Sequence, residues 1–133
     1  KMPATLRLWS AECPSFDLEL FNKGDYDCLV QQRELAETIS KVLYPEDNHI
    51  AGRMLRLKQY YFLASATMQH MVREHKKRYG DVRTLPDKVV VQINDTHPAF
   101  AIPELMRILM DEEKLSWRRT ISSAGYSTTP TTR

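Results

Sequence analysis

The chain predicts an α/β fold on two observations. Strand-like and helix-like stretches alternate along its 133 residues. Val89-Val90-Val91 is an uninterrupted β-branched run of the kind found in parallel strands covered on both faces. In chain order, Thr5–Trp9 alternates Leu6 and Leu8 with Arg7, the period of a half-buried strand. Glu12–Gly24, broken by Pro14, Asn22 and Gly24, reads as a loop with one helical turn. A helix follows from about Tyr26 to Leu43, with Leu29, Val30, Ile39, Val42 and Leu43 as its apolar positions. Tyr44-Pro45 ends it, because a residue before proline is pushed out of the helical region. Pro45–Gly52, PEDNHIAG, is a polar loop. The longest periodic stretch runs from Arg53 to about Tyr79. Leu55, Tyr60, Leu63, Thr67, Met71 and His75 lie on one face, and Arg56, Lys58, Gln59, Gln69, Arg73, Lys76 and Lys77 on the other. Its basic end, Arg73 to Arg78, suits a helix C-terminus, with Gly80 as the stop. Leu85-Pro86-Asp87 is a turn and Lys88–Ile93 a strand. The last helix starts at Ile102 or Pro103, where proline is tolerated, and runs to about Lys114.

Length and composition bound the possible functions. A chain of this size is one domain's worth of sequence, and 42% hydrophobic residues can fill a core. Nineteen basic residues against 17 acidic ones leave a net charge of +2, which gives no footprint for nucleic acid. Cys13 and Cys28 lack Cys-x-x-Cys or metal-ligand spacing, so a reducing compartment is expected. KMPATLRLWS has no signal-like apolar core, and no stretch approaches the roughly 18 apolar residues that span a bilayer. The expectation is a soluble, cytoplasmic segment without a membrane partner.

Ligands of open α/β sheets bind at the carboxyl ends of strands, and Asn94-Asp95-Thr96-His97-Pro98 stands at such an edge. By itself that cluster is most often a turn and helix cap, since these side chains bond nearby backbone amides. A lone His97 is likewise more often a satisfied histidine than an acid or base. His70 and His75 are five apart, off the i, i+4 spacing of a zinc helix, so no metal site is expected. The chain carries no nucleophile elbow, P-loop or glycine-rich dinucleotide loop.

Six collinear stretches change the balance: TLRLWSA, FDLELFNKGDY, LAETISKVLYPEDN, LRLKQYYFLASATMQ, VVVQINDTHPAFAIPELMRILMDEE and LSW. Together, over about residues 4–117, they resemble the glycogen, starch and maltodextrin phosphorylases. The resemblance implies an internal piece of a Rossmann-like N-terminal domain, in a two-domain GT-B-type glycosyltransferase with substrate in the interdomain cleft. It implies an α-1,4-glucan phosphorylase, in which orthophosphate releases the terminal glucose as α-glucose 1-phosphate with retained configuration. The full-length enzyme would be cytoplasmic, homodimeric and allosteric, with α-1,4-glucan and orthophosphate as partners. Its pyridoxal 5′-phosphate relays a proton through the cofactor phosphate. The lysine that holds the cofactor belongs to the C-terminal domain, so neither a catalytic residue nor the cofactor site is expected in this segment.

Residue by residue, YPEDN matches the family loop that gates the cleft, and Asp47 and Asn48 match positions facing the glucose site. Glu46 and His49 stand at variable positions. Asp95 and His97 match the strand-end pair beside the sugar, where the acid orients a histidine from a later Tyr-Thr-Asn-His-Thr motif. Fixed carboxylate, amide and imidazole groups suit the fixed hydroxyls of a sugar.

The resemblance ends after Trp117. RRTISSAGYSTTPTTR is Ser/Thr-rich, with Ile121, Ala124 and Tyr126 as its apolar residues and Gly125 and Pro130 as breakers. The expected division is residues 1–117 as a partial phosphorylase domain and 118–133 as a divergent tail, disordered or frame-shifted. Read one base early from the third base of the Tyr126 codon, the tail's codons permit Phe-His-Tyr-Thr-Asn-His-Thr, which contains the missing motif. Two other readings compete. One is a noncatalytic carbohydrate-binding module using the same face; the other is a helical interaction module presenting Arg53–Tyr79.

Overall fold

A computed structural model describes residues 5–13 and 18–130. Pro14 of the expected loop and residues 131–133 of the tail lie outside the described residues. The chain divides into two compact units, Lys1–Gln59 and Tyr60–Arg133.

In the first unit, α1 (Leu18–Asn22) is the helical turn expected between Glu12 and Gly24. It closes at Gly24, whose φ of 76° favours glycine and whose amide donates to the Phe21 carbonyl at 3.0 Å. Asp25 caps α2 (Tyr26–Lys41) by accepting the Cys28 amide at 3.3 Å. The helix stops two residues short of the predicted Leu43. At its end the Ile39 and Val42 carbonyls are taken by the Gln59 side-chain amide, at 3.0 and 2.7 Å. Buried Gln59 thus satisfies carbonyls that a helix end leaves without partners. No residue of α2 is buried, and Val30, Leu35, Val42 and Leu43 are all more than half exposed. The strand predicted at Thr5–Trp9 does not form, and Leu6 and Leu8 are 86% and 88% exposed. Alternation only qualifies a segment to pair; without a neighbouring strand its backbone bonds to water.

The helix α3 (Ile50–Tyr79) starts three residues before the predicted Arg53. In the second unit its buried stripe is Ala64, Met68, Val72 and His75, whereas Leu63 and Thr67, predicted to face inward, are exposed. Over residues 63–72 the packed face is therefore turned by one residue, with Ala64, Met68 and Val72 inward in place of Leu63, Thr67 and Met71. A one-turn helix, α4 (Leu85–Lys88), stands where a turn was expected. Leu85 joins Ile93, Ala101, Leu105, Ile108 and Leu109 in the core cluster. Buried His75 brings Nε2 within 3.1 Å of the Asp81 carbonyl and 3.0 Å of Thr84 Oγ1, tying the end of α3 to the turn after Gly80.

The strand β1 (Val91–Ile93) is shorter than the predicted Lys88–Ile93, and Val90 is 72% exposed, so the valine run is not covered on both faces. The helix α5 (Ala101–Arg107) gives way to a wider π turn over Ile108–Glu112. There the Glu113 amide bonds the Ile108 carbonyl at 3.0 Å and the Leu115 amide bonds that of Leu109 at 2.9 Å. Where disorder was expected from Arg118, the chain forms α6 (Trp117–Ser127) and β2 (Thr128–Pro130). Thr120 and Ser123, three apart, are buried among the described side chains of α6, polar positions that a count of apolar residues passes over. The two strands pair in parallel, Val91 with Thr128 and Ile93 with Pro130, through the helical crossover that parallel pairing requires. The expected α/β alternation thus appears as one two-stranded parallel sheet in a mainly helical chain.

Glu104 joins α3 to α5. Its carboxylate is 2% exposed as a residue and accepts Ser65 Oγ at 2.7 Å, Tyr61 Oη at 3.0 Å, and Arg107 Nε and Nη2 at 2.8 and 2.9 Å. The Arg107 bonds, helped by Ser65 and Tyr61, outweigh burial and hold its carboxyl below the usual glutamate range. Because the folded state binds this proton more weakly, the stabilisation is present at neutral pH and is lost as pH falls through the depressed folded value. Glu104→Ala leaves Arg107 half-exposed and still paired with Glu112, so the loss should lie at or below the low end for broken buried pairs, about 3 kcal/mol or less. Urea unfolding at pH 7 should show that loss, and the gap between variant and parent should narrow as the buffer is taken below pH 4.

Candidate functional site

The residues singled out in the sequence fall in both units, Asp47 and Asn48 in the first and Asp95 and His97 in the second. Each pair is held together in its own loop.

The first loop ends where α3 begins. Asp47 pairs with Arg56 through Oδ2 and Nη1, and its carbonyl accepts Arg53 Nε at 3.2 Å. Asn48 donates Nδ2 to Glu46 Oε1 at 2.7 Å. His49 caps the helix, with Nδ1 accepting the Gly52 amide at 2.9 Å. That bond fixes the tautomer with its proton on Nε2. Two α3 residues therefore bind the Asp47 side chain and backbone. Arg56, predicted for the solvent face, is only 23% exposed at its side chain and lies 6.0 Å from the centre of the Tyr44 ring. The missed signal was local: Asp47 precedes Arg56 by one short loop and nearly two helical turns.

The second loop follows β1. Asp95 adopts φ 69°, a left-handed conformation that aspartate tolerates better than most residues. It accepts the Thr96 amide at 2.6 Å and the Thr96 hydroxyl at 3.3 Å, both through Oδ1. The Thr96 amide, then its hydroxyl, hold the Asp95 carboxyl below the usual aspartate range, with a smaller contribution from His97. His97 opens a 3-10 turn (His97–Phe100). Its Nε2 lies 3.8 Å from Asp95 Oδ2, too long for a hydrogen bond but close enough for charge attraction when the ring is protonated. Its ring lies 5.0 Å from that of Tyr60. The loop is thus a turn and cap, as its residue types imply, and it also leaves Asp95 Oδ2 and the His97 ring at the carboxyl edge of β1. Two exposed polar groups at a strand end can bind hydroxyls; alone they assemble no nucleophile or acid–base pair.

No cluster of three or more potential metal ligands occurs among the described residues. None of their helices is long and apolar enough to cross a membrane. Every described lysine is exposed, so none offers the desolvated amine suited to a Schiff base. These residues do not fit the binding of pyridoxal phosphate.

The chain matches the carbohydrate phosphorylase family over residues 1–132. It is 53% identical over 117 residues to a glycogen phosphorylase of Pasteurella multocida, an alignment covering 87% of this chain and 14% of the relative. With the brain-form glycogen phosphorylase of Mus musculus it shares 56% over 122 residues, covering 85% and 14%. With the muscle form of Ovis aries it shares 50% over 136 residues, covering 92% and 16%. The chain belongs to the carbohydrate phosphorylase family, and it spans about a seventh of the length of these relatives.

The ion pair of Asp47 with Arg56 is half-exposed, and such pairs contribute about 1 kcal/mol or less. Arg56→Ala should therefore raise the opening of residues 46–49 by a factor of about five or less. Amide hydrogen exchange over that loop should rise accordingly, while the Glu104 region keeps its protection.

Proposed function

We propose that this chain is part of the N-terminal domain of an α-1,4-glucan phosphorylase, the cytoplasmic, homodimeric enzyme that the resemblance implies. Its reaction would be phosphorolysis of the terminal glucose of glycogen, starch or maltodextrin to α-glucose 1-phosphate. The observation that carries the reading is the coincidence of at least 50% identity with glycogen phosphorylases and a polar Asn-Asp-Thr-His cluster at the carboxyl end of a parallel strand. In the whole domain, β1 would belong to a larger Rossmann-like sheet in a GT-B-type architecture. By the resemblance, Asp47 and Asn48 would stand at positions that face the glucose in the family, and Asp95 and His97 at those of its strand-end pair. Pyridoxal 5′-phosphate would be held by a lysine elsewhere in a longer polypeptide. We also retain the division at Trp117 and the one-base shift after it as proposals. Sequencing the coding DNA should reveal a Tyr-Thr-Asn-His-Thr codon series in the early frame; a stop codon there would dispose of the shift.

In the full-length enzyme carrying this segment, Asp95→Asn should reduce turnover about tenfold to a hundredfold, the range for partners that orient another group. Its melting temperature should change little, since asparagine also tolerates the left-handed backbone at this position. Kinetics equal to the parent's would remove Asp95 from the site. The isolated chain should release no glucose 1-phosphate and, after borohydride reduction with the cofactor, should carry no stoichiometric lysine adduct.

A further inference from the structure

Gly52 lies in the first turn of α3 and is buried, yet its backbone is helical and demands no glycine. In an ordinary helix position alanine would be the more stable residue. What excludes a larger residue is the loop. A Cβ built on Gly52 would overlap the Glu46 carbonyl oxygen, and would stand 3.0 Å from both the Glu46 carbonyl carbon and His49 Cε1. Two of these three contacts are backbone, which cannot swing aside as a side chain tip can. The same glycine donates its amide to His49 Nδ1 at 2.9 Å. Residues 46–49 thus lie directly on the helix at Gly52, with Asp47 tied to Arg53 and Arg56 one turn further along.

We propose that Gly52 is a positioning residue for substrate binding: the missing side chain lets the Glu46–His49 loop close onto α3 and sets where Asp47 and Asn48 stand. The inference rests on the reading that these two side chains face the glucose. An added methyl group would displace the Glu46 backbone by an ångström or more, and a misplacement of that size can cost about a hundredfold in rate.

The test uses the full-length enzyme carrying this segment, with the glucan and inorganic phosphate as substrates. Gly52→Ala should lower kcat/KM by about tenfold or more per folded molecule and quicken amide exchange over residues 46–49. His49→Ala, which removes the acceptor of the Gly52 amide and adds no atoms, should shift both readouts the same way by a few-fold. If Gly52→Ala does not fold, His49→Ala decides the matter alone. The proposal is overturned if Gly52→Ala melts higher, as an unhindered helical glycine would, and keeps parental kinetics. Asp47→Asn separates the two ideas. If that variant is as active as the parent, the glucose-facing reading fails and the proposal with it. If it is impaired while the other two variants are not, the proposal alone fails.

Discussion

The second unit depends on one buried carboxylate. Glu104 is nearly inaccessible, and an ionised group in that position is tolerable only if its oxygens are filled with donors. Two donors come from α3, through Tyr61 and Ser65, and two from α5 itself, through Arg107. Each oxygen receives one bond from each helix, so sliding or rotating α3 against α5 would leave charge unpaired. Gln69 extends the network to Ser65, and Glu112 extends it to Arg107. The apolar contacts of Ala64, Met68, Leu105 and Ile108 supply the larger area of burial, but they are non-directional. The carboxylate selects one register among the several that such a face would accept.

That register reaches the polar loop through the chain itself. The 3-10 turn beginning at His97 runs directly into α5 with no intervening linker, and β1 ends only one residue before Asp95. With α5 fixed by Glu104 and Ile93 fixed in the core, the residues between have little freedom. Asp95 absorbs the reversal of direction by entering the left-handed region, and its bonds to Thr96 offset the cost of that conformation. Acid and hydroxyl after an apolar strand are therefore first a local solution to a sharp turn. A group held this way is also preorganised, so the structural role of the cluster does not compete with the functional one proposed for it.

Much of this was legible in the sequence for identifiable reasons. The long helix, the proline-bounded loop and the strand before Asn94 carry strong local signals, and the resemblance of six collinear stretches identified the family that the comparisons bear out. What failed depended on partners. Thr5–Trp9 has a strand's alternation but finds no neighbour, and α3 buries Ala64 while Leu63 stays exposed, a choice among adjacent positions that depends on what packs against the helix. Nothing local to Glu104 announces that Tyr61 and Ser65, about forty residues earlier, will meet it. In α6, Thr120 and Ser123 are the buried positions among the described side chains, and a search for apolar residues cannot see them. Arg56 and Gly52 escaped for the same reason, because both act on a loop that their own helix does not predict.

The exposed carboxylates set a limit on what this chain does by itself. Asp47 and Asp95 have side chains 48% and 62% exposed. At about 4 Å in a water-like dielectric, a charge interaction is worth only about 1 kcal/mol, against roughly four times that at the lower dielectric near a covered protein surface. Position without dielectric gives weak, salt-screened contacts. The uncovered apolar face of α2 and the exposed Val90 are the apolar counterpart of the same condition. Burying such surfaces against more of the longer polypeptide would exclude water beside polar groups whose geometry is already set. The chain therefore contributes directionality to the proposed site, and the strength of those directed contacts would come from whatever covers it.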